Sequence, residues 1–449
     1  MLHEPGNIAA DENVRELGRL AGEYGVKAYL VGGSVRDLLL GRELKDLDFA
    51  LSGSSAEIAA AFARSVGGSF FWLDEERLQS RVVKKGAVGS LTFDFAPQRG
   101  ETIAEDLLQR DFSINALALP LAGEGCNLID PANGVTDLES GIIRACSAET
   151  FADDPLRLLR AIRFAATLGF TIDTATWEAL VRQAAFLERV AAERIRDELF
   201  QILAAPGIEA SLLLLLDSGL LPRIVPRLLL GTATPPEEEY PSSLNQRIGG
   251  AGRVEQLAAE LADYFPADHE RLRQHLNSQV EAGIGVLSLV KLAAFINGAA
   301  PPGATDLVAA KLRLGKRARR ILEKLARSRT ALAGMAEHKL TARAMYHFFS
   351  DSDPAGPEIA LFALAGERAC RDFCVRLVAY YFSDYPAAGA GLLLSGAEIM
   401  HLLGIGPGLA VGEAMERLKK AESIGMVNTR AEAEAFLKKN QLTKEEPIG

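Results

Sequence analysis

Residues 30–51 read LVGGSVRDLLLGRELKDLDFAL. The apolar run at its start, the two glycines and the following SVRDLLLG predict a strand, a tight turn and a short helix that ends at Gly41. Gly32 and Gly33 lack Cβ atoms and allow a phosphate to approach the backbone, and Arg36 can contact phosphate oxygens from the first helical turn. Two glycines alone are more typical of a plain turn. The chain contains neither GxGxxG nor GxxxxGK[ST], which excludes the Rossmann and P-loop fingerprints.

Two carboxylates complete the same stretch. In DLDFAL, the two-residue period of a strand places Asp46 and Asp48 on one face and Leu47 and Phe49 on the other. Neighbouring carboxylates repel each other, and a hard divalent cation bound through oxygen compensates the repulsion. An exposed, charged strand edge would show the same pattern. Because GGSVRD lies just upstream, the metal-binding interpretation is favoured.

A further carboxylate, Asp94, lies in the strand-like segment LTFDFA. It alternates with Phe93 and Phe95, so it faces away from the apolar side of its strand. This pattern fits a third carboxylate beside Asp46 and Asp48, and it fits a solvent-facing side chain equally well.

The order of strand and helix signals predicts an α+β chain with more than one domain. Its 449 residues are 48% hydrophobic, enough for a large core. Strand and helix signals mix in the first 130 residues, and strand signals disappear from about residue 150, where helical periodicity takes over. The Pro-, Gly- and Ser-rich stretch 231–252 predicts a loop. The predicted strands are VKAYLV, DLDFAL, SFFWL, RVVKK and LTFDFA.

Charge and cysteine content narrow the choice of compartment and partner. The net charge is −10, yet residues 311–329 carry nine Lys or Arg against the single Glu323. A solvated helix face and an RNA-backbone contact explain this basic segment equally well. No signal peptide or apolar run long enough to span a membrane is recognised, and four cysteines are too few for a disulfide framework. We therefore expect a cytoplasmic protein without a membrane partner, whose Cys370 and Cys374 are core thiols.

Five motifs in a fixed order resemble those of class II tRNA nucleotidyltransferases and bacterial poly(A) polymerases. They are GGSVRD with DLD, DLLQRDFSINALA (106–118), IDPANGVTDLESGIIR (129–144), DDPLRLLRAIRFAATLGF (153–170) and ERIRDEL (193–199). The resemblance implies an N-terminal polymerase β-like nucleotidyltransferase head with a mixed sheet, followed by an all-α neck, body and tail. The implied boundaries are 1–140 for the head, 141–205 for the neck, 206–330 for the body and 331–449 for the tail.

The resemblance also assigns roles to residues. Asp46 and Asp48 would hold Mg²⁺, with Asp94 as a third catalytic carboxylate. The residues that would bind the nucleotide are Gly32, Gly33, Arg36, Arg110, Asn115, Asp154, Arg157, Arg160 and Arg163. Gln109 stands where the family usually has a basic residue, which removes one charge from this set.

The segment DDPLRLLRAIRF suggests how a base could be selected without a template. Asp154, Arg157, Arg160 and Arg163 step by three, and an Asp and an Arg one helical turn apart offer an acceptor and a donor to a base edge. An intrahelical salt bridge would explain the same spacing. In the family that the chain resembles, such a pair takes the place of a nucleic-acid template.

The expected reaction is addition of C, and potentially A, to the 3′ end of tRNA from CTP and ATP. Only PQRGETIAE separates LTFDFA from DLLQRD, whereas the resembling CCA-adding enzymes have a distinctly longer, flexible segment there. This favours a CC-adding enzyme over full CCA synthesis. A poly(A) polymerase or a non-catalytic RNA-binding relative would also carry several of these motifs, and no DNA partner is expected.

Overall fold

The computed structural model describes residues 2, 11–44, 46–86, 89–121, 127–225, 242–297, 303–336, 341–366, 371–385, 392–423, 426–427 and 429–442. The chain divides into two compact units. The N-terminal unit comprises Met1–Ala191 and Ser218–Leu220, and the C-terminal unit comprises Ala192–Asp217 and Leu221–Gly449. The finer division into head, neck, body and tail stays a prediction.

A six-stranded mixed sheet lies at the centre of the N-terminal unit. Its strands follow the order β3-β4-β5-β2-β1-β6. Strands β2 and β5 pair in parallel, and the other neighbours are antiparallel. All five predicted strands are confirmed; the sequence pattern does not predict β6, whose three residues are too few to show a two-residue period. The strands are β1 (Ala28–Val31), β2 (Asp46–Leu51), β3 (Ser69–Asp74), β4 (Gln79–Lys85), β5 (Ser90–Pro97) and β6 (Ala118–Pro120).

The helices of the N-terminal unit flank this sheet and continue beyond it. They are α1 (Glu12–Glu23), α2 (Gly33–Leu39), α3 (Ser55–Val66), α4 (Ile103–Leu108), α5 (Gly134–Ser140), α6 (Thr150–Asp153), α7 (Arg157–Leu168) and α8 (Thr174–Gln183). Two 3₁₀ helices span Ser113–Asn115 and Ala184–Arg189. A short parallel pair, β7 (Ile142–Ile143) and β8 (Thr171–Ile172), brackets α7.

Aromatic packing fixes one face of the sheet against α3. The rings of Phe49 and Phe95 stack with centroids 5.5 Å apart, and Phe62 of α3 meets Phe93 edge-on at 5.0 Å. All four side chains are buried. Because side chains alternate along a strand, this packing directs Asp48 and Asp94 to the opposite face.

Helix α4 covers only one end of that opposite face. Ile103 and Leu107 of α4 form a buried cluster with Val31 of β1 and Ala50 of β2. Strands β4 and β3 lie at the other end of the sheet, and β3 is its edge strand. Among the described residues of the N-terminal unit, the carboxylate face is therefore closed near β1 and open toward β3.

The segment DDPLRLLRAIRF is not one continuous helix, contrary to the prediction. Helix α6 ends at Asp153, and Asp154 has extended dihedral angles, φ −142° and ψ 101°. Helix α7 begins at Arg157. Pro155 is the cause, because proline disfavours the helical conformation of the residue before it. Asp154 consequently precedes the helix that carries the three arginines.

The C-terminal unit is almost entirely helical in its described residues, which with the mixed sheet confirms the α+β class. Its helices are α9 (Ala192–Ala204), α10 (Ile208–Asp217), α11 (Leu221–Ile224), α12 (Ser242–Ala259), α13 (Leu261–Tyr264), α14 (His269–Leu276), α15 (Val286–Asn297), α16 (Ala304–Lys311), α17 (Lys316–Ala336), α18 (Ala342–Ser352), α19 (Glu358–Ala365), α20 (Arg371–Ser383), α21 (Gly396–Leu403), α22 (Leu409–Ser423) and α23 (Arg430–Leu442).

Strands do occur after residue 150, where none is predicted. Besides β8, a two-stranded antiparallel ladder joins β9 (Gln279–Glu281) to β10 (Ile284–Gly285). Each of these strands has only two or three residues. Segments this short cannot display the alternation on which strand prediction depends.

The predicted loop at 231–252 is wrong in its second half. Residues 242–252 belong to α12, and residues 231–241 lie outside the described residues. Buried Leu244, Ile248 and Ala251 have helical spacing. A Cβ atom on Gly250 would lie 3.4 Å from the Ala294 carbonyl oxygen of α15. The glycines that resemble a loop signal therefore allow two helices to pack closely.

Candidate active site

The three predicted carboxylates lie on one face of the sheet. Asp46 and Asp48 alternate with buried Leu47 along β2. Asp94 is the parallel partner of Asp48 in the register of β2 and β5. Residues paired in this way have side chains on the same face of a sheet. The register thus brings Asp94 beside Asp48. Asp94 is therefore a member of the carboxylate cluster, and its side chain is also partly exposed to solvent.

Arg81 of β4 supplies a cation to this cluster. Its Nε donates to Asp94 Oδ1 at 2.7 Å, and its Nη2 donates to Asp94 Oδ2 at 2.8 Å. The arrangement is a bidentate guanidinium–carboxylate pair, which fixes the orientation of both groups. The sequence prediction did not include Arg81, because only the long-range pairing of β4 with β5 places it opposite Asp94.

Asp48 is electrostatically strained without a cation. Burial and the neighbouring Asp94 and Asp46 carboxylates, partly offset by Arg110 and Arg36, together raise its pKa from 3.8 to about 6. A carboxylate shifted in this way favours binding of a positive charge.

The donor set suits a hard divalent cation that shares its coordination with a substrate. Among the described residues, no group of three or more His, Cys, Asp or Glu side chains is arranged to hold a metal ion by itself. Both oxygens of Asp94 bind Arg81, which leaves Asp46 and Asp48 as donors. Mg²⁺ is commonly bound by one or two carboxylates together with substrate phosphates. The two aspartates therefore fit the predicted cation.

The glycine turn places two guanidinium groups next to the carboxylates. Gly32 has φ +69°, and a Cβ atom there would lie 2.6 Å from Arg110 Nη1. A Cβ atom on Gly33 would lie 3.5 Å from Arg36 Nη2. Arg110 is held by Asp106 Oδ2, which accepts from its Nε at 3.1 Å and from its Nη2 at 3.0 Å. The turn therefore lies against the guanidinium groups of Arg110 and Arg36, each of which is also paired with a carboxylate, Asp106 or Asp37.

A buried hydrogen-bond chain connects Arg36 to α7. Arg36 Nη1 donates to Asn115 Oδ1 at 2.7 Å, and Asn115 Nδ2 donates to Asp111 Oδ1 at 2.9 Å. Arg160 Nε and Nη2 donate to Asp111 Oδ2 at 2.8 and 2.7 Å. Arg36 also binds Asp37, at 2.9 and 2.8 Å. Predicted residues from three motifs are therefore in one network.

Asp111 is the centre of this chain and was absent from the predicted site. Burial alone would raise its pKa, but Arg160, Asn115 and the backbone N–H of Phe112 together hold the pKa below its ordinary value. Asp111 is thus an ionised carboxylate inside the protein. An aspartate within the apolar motif DFSINALA was the sequence signal for it, since a buried carboxylate needs a partner.

The ring of Phe164 organises the arginines around this network. The guanidinium carbon lies 4.2 Å from the ring centroid for Arg163, 5.1 Å for Arg36 and 5.2 Å for Arg160. These are cation–π distances. Phe164 is buried and also meets Phe112 edge-on at 5.7 Å. Arg160 and Arg163 are therefore packed beside Arg36.

Arg157 and Asp154 do not form the intrahelical salt bridge that was the alternative to base recognition. Arg157 Nη2 donates to the Gln109 carbonyl at 3.0 Å, and Nη1 donates to the Thr150 carbonyl at 3.4 Å. Asp154 Oδ1 accepts from the Leu156 N–H at 3.1 Å. Within the described part of the chain, the Arg157 guanidinium binds these carbonyls and no carboxylate. Arg157 thus contacts the residue that precedes Arg110 in the chain.

The basic segment 311–329 divides between α16 and α17. Arg319 is neutralised by Asp306 at 2.9 Å and Glu323 at 3.0 Å. Three other cations have the spacing of one helical stripe and line a groove of about 710 Å³ between α17 and α18: Arg320, Lys324 and Arg327. His347, Asp351 and Asp353 of α18 and its C-terminal end also line this groove.

Family comparisons agree with the motifs. Residues 28–144 match the family described as "Poly A polymerase head domain". Residues 169–230 match the family described as "Probable RNA and SrmB- binding site of polymerase A". No described helix combines the length and hydropathy that a membrane crossing requires.

Curated relatives match almost the whole chain. A CC-adding tRNA nucleotidyltransferase of Geobacter sulfurreducens is 42% identical over 429 residues, 96% of this chain and 95% of the relative. An A-adding tRNA nucleotidyltransferase of Deinococcus radiodurans is 33% identical over 439 residues, 92% of this chain and 95% of the relative.

Among solved structures, a Thermotoga maritima CCA-adding enzyme in complex with tRNA has the same fold. The TM-score is 0.64 at 22% identity, covering 98% of this chain and 99% of the other. Near-full-length identity above 40% to a tRNA nucleotidyltransferase and the matching head domain together establish the family. The chain belongs to the class II tRNA nucleotidyltransferase family.

Proposed function

We propose that this protein adds cytidine nucleotides to the 3′ end of tRNA, without a nucleic-acid template, from CTP. The observation that supports the proposal best is the position of Asp46 and Asp48 next to Gly32, Gly33 and Arg110. A carboxylate pair beside a glycine turn that is lined by two guanidinium groups accommodates a metal-bound triphosphate. The Geobacter relative carries the same activity in its name.

The chemistry is a displacement at phosphorus. The RNA 3′-oxygen bonds to the α-phosphorus of CTP, the bond from that phosphorus to the bridging oxygen of the β-phosphate breaks, and pyrophosphate leaves. Asp46 and Asp48 would hold Mg²⁺, which when bound would lower the pKa of the attacking hydroxyl and neutralise developing charge. The proton passes to solvent. No His lies in the motifs that build the site, so a histidine base is not part of the proposal.

The side chains around the glycine turn bind and orient the nucleotide. Arg110 and the backbone of Gly32 and Gly33 contact the triphosphate. The Arg110 guanidinium lies against Gly32, and the two glycines have no Cβ atoms that would keep phosphate oxygens away from the backbone. Arg36 is buried and bound to Asp37 and Asn115, so it orients the turn as well as adding positive charge. Asn115 links this turn to Asp111 and Arg160.

Asp154 and Arg157 select the base in this proposal. An aspartate accepts from the exocyclic amine of cytosine, and an arginine donates to the ring nitrogen or carbonyl oxygen. Uracil and guanine present the reverse pattern. Arg160 and Arg163 pack on Phe164 and support the helix that carries Arg157.

Replacement of Arg157 tests base selection. Arg157→Ala should lower the preference for CTP over UTP by about 10- to 100-fold, since a lost base contact removes ~1–3 kcal/mol of discrimination. Incorporation of each nucleotide into tRNA ending before CCA is measured at saturating concentration. Arg182→Ala, on the exposed Arg182–Glu178 pair of α8, is the control. Slower but equally selective addition by Arg157→Ala would show that this side chain only braces the Gln109 and Thr150 carbonyls.

The connection from β5 to α4 favours CC addition over CCA addition. Only residues 98–102 separate Pro97 of β5 from Ile103 of α4. The Gln98 N–H donates to the Leu51 carbonyl at 2.8 Å, and the Arg99 N–H donates to Asp106 Oδ1 at 3.0 Å. A connection this short, with hydrogen bonds at Gln98 and Arg99, has little conformational freedom. It is therefore poorly suited to change the nucleotide pocket from one that fits cytosine to one that fits adenine.

Sized products from defined transcripts test the proposed function. tRNA transcripts that end before CCA, after C and after CC are incubated with CTP, ATP or both. We expect two C residues to be added and a terminal A to be added at least about 100-fold more slowly, an effect of roughly 2.7 kcal/mol. Efficient addition of A to the CC-ending transcript alone would make the protein an A-adding enzyme, like the Deinococcus relative. Addition of all three nucleotides would identify a CCA-adding enzyme instead. Long A tracts would indicate a poly(A) polymerase, and no addition would indicate a non-catalytic RNA-binding protein.

The groove between α17 and α18 is the proposed contact for the tRNA backbone. Arg320 and Arg327 are exposed and form no ion pair within the described ranges, and Lys324 donates to the Asp351 carbonyl. Arg319, by contrast, is paired on both sides. Cations without carboxylate partners are the ones that release counterions when a phosphate backbone binds.

A triple substitution tests this groove. Combined Arg320→Ala, Lys324→Ala and Arg327→Ala should weaken tRNA binding and lower the slope of log affinity against log salt by about 2–3, since each phosphate contact contributes ~0.7–0.9. Filter binding over a salt series measures both quantities. Arg319→Ala is the matched control and should leave the slope unchanged. Equal slopes for the triple variant and the wild type would show that the segment is a solvated helix face and not an RNA contact.

The proposed setting is the cytoplasm. Cys146 and Cys374 are free thiols, and Cys374 is buried in α20, as predicted for a core thiol. Cys370 lies outside the described residues. CTP, ATP and tRNA are the proposed partners, and no DNA contact is proposed.

A further inference from the structure

One cross-strand row of the sheet leads from the carboxylates to the edge strand. In the register of the sheet, Asp48 pairs with Asp94, Asp94 with Arg81, and Arg81 with Phe71. Cross-strand partners have side chains on the same face. Phe71 therefore lies on the carboxylate face, at the open end that α4 does not cover.

Phe71 is an exposed aromatic side chain without a role in the core. Its relative exposure is 51%, although a phenylalanine ring buries readily in a sheet of this size. Its neighbours Phe70 and Trp72 pair edge-on at 5.3 Å. Alternation along β3 directs that pair to the α3 side of the sheet, opposite to Phe71, where Trp72 is itself 41% exposed. The ring of Phe71 is thus displayed on the catalytic face.

Arg81 has donors left for a further ligand. Its Nε and Nη2 are bound to Asp94, while Nη1 makes no hydrogen bond to any described residue. The side chain is 41% exposed. A guanidinium offers five N–H groups, so Arg81 can keep Asp94 oriented and still donate to an anion.

We propose that Phe71 and Arg81 form the binding site for the single-stranded 3′ end of the acceptor RNA. Phe71 stacks on one base, and Arg81 Nη1 donates to a phosphodiester oxygen of the same strand. An exposed ring beside a cation matches the chemistry of single-stranded RNA, in which every base has a stackable face and every linkage a negative charge. The inference deepens the proposed function, because it rests on catalysis at Asp46 and Asp48.

The spacing of the row suits the end of an RNA chain. Neighbouring strands lie about 4.8 Å apart, so Phe71, three strands from Asp48, is roughly 14 Å from the carboxylates. A stacked strand advances about 3.4 Å per nucleotide. When the reacting 3′-oxygen is at Asp48, the base at Phe71 therefore belongs to one of the last four nucleotides. Two strands from Asp48, Arg81 reaches the linkages nearer the end.

Fluorescent RNA tests this site independently of catalysis. 2-Aminopurine is placed in turn at each of the last four positions of a tRNA minihelix, and binding is followed in EDTA by its fluorescence. Wild-type protein should quench one position by stacking. Phe71→Ala should abolish that quenching and weaken binding about 5- to 100-fold, whereas Phe71→Tyr should restore both. Arg81→Gln should weaken binding and lower the salt slope by about 0.7.

The control is another exposed aromatic side chain of the same unit. Tyr24 is 45% exposed at the end of α1, which packs against α3 on the other side of the sheet, so Tyr24→Ala should bind like the wild type. Quenching that survives Phe71→Ala, or equal loss in Phe71→Ala and Tyr24→Ala, overturns the site. A change in oligomer mass caused by Phe71→Ala, with RNA binding intact, would assign the ring to a contact between copies of this chain instead. Failure of the wild type to extend tRNA would contradict the proposed function, a result that the binding assay does not depend on.

Discussion

Asp48→Asn is expected to reduce nucleotide addition about a thousandfold or more. The substitution keeps the size of the side chain and removes one anionic ligand from a two-carboxylate site. Loss of charge stabilisation worth several kcal/mol corresponds to about three powers of ten in rate. Single-turnover extension of tRNA, measured at saturating CTP and Mg²⁺, gives the rate directly. Asp46→Asn should behave in the same way.

The control for this loss is Asp74→Asn. Asp74 ends β3 in the same sheet and is paired with Arg77, 3.6 Å away. It lies outside the carboxylate row, so this variant should extend tRNA at the wild-type rate. Turnover by Asp48→Asn within tenfold of the wild type would refute the two-carboxylate assignment.

The same substitution should stabilise the protein in the absence of divalent cations. The pKa of Asp48, raised from 3.8 to about 6, means that the folded state holds the proton more tightly than the unfolded state. The free energy of unfolding therefore falls as pH rises from about 4 to about 6, by up to ~3 kcal/mol. Asn does not titrate, so Asp48→Asn should lack this fall and be the more stable protein at pH 8 in EDTA.

Arg160→Ala is expected to destabilise the N-terminal unit by about 3–5 kcal/mol, because removal of one partner leaves a buried charge uncompensated. Asp111, which Arg160 holds with two hydrogen bonds, is buried and ionised. Its other partners, Asn115 and the Phe112 N–H, cannot neutralise the charge. We also expect a higher KM for CTP, since Asn115 in turn orients Arg36.

Tryptophan fluorescence measures this effect selectively. The chain has two tryptophans, Trp72 and Trp177, and both belong to the N-terminal unit. Urea unfolding followed at these residues gives the loss of stability. Arg182→Ala removes an exposed ion pair with Glu178 and should cost at most about 1 kcal/mol. An Arg160→Ala variant as stable as this control would contradict the buried network.

The pH dependence should follow from the lowered pKa of Asp111. A carboxylate with a depressed folded-state pKa contributes stability above its unfolded pKa and loses it as pH falls through the folded value. The wild type should therefore lose stability below about pH 4, and Arg160→Ala should lose less over the same interval. Parallel pH profiles for the two proteins would show that Arg160 does not set the pKa of Asp111.

Local patterns were sufficient for much of the fold and part of the site. The alternation in DLDFAL predicted that Asp46 and Asp48 share a face, because the two-residue period belongs to every strand. The glycines before SVRDLLLG predicted the turn at which Arg110 approaches the backbone. Pro155 was also a local signal, because proline predicts a break before α7. The three-residue spacing of Asp154 and the arginines suggested a continuous helix instead.

Composition was misleading where long-range packing determined the outcome. Gly249, Gly250 and Gly252 resemble loop residues in the sequence, yet they lie in α12. Their missing Cβ atoms matter because the Ala294 carbonyl and the Glu209 side chain come close to them. A glycine tolerated in a turn and a glycine required by a helix contact look identical until the partner is known.

The sequence by itself determined the class of fold, the order of the motifs and the pair of carboxylates, all of which depend on residues close together in the chain. Tertiary structure alone decided that Asp94 stands beside Asp48, that Arg81 binds it, that Asp111 joins Arg160 to Asn115, and that Phe71 faces the same side. The contacts of Asp94 with Asp48 and Arg81, and of Asp111 with Arg160, join residues from 13 to 49 positions apart. Strand register and helix packing select such partners through the burial of the whole core, and no short stretch of sequence contains that information.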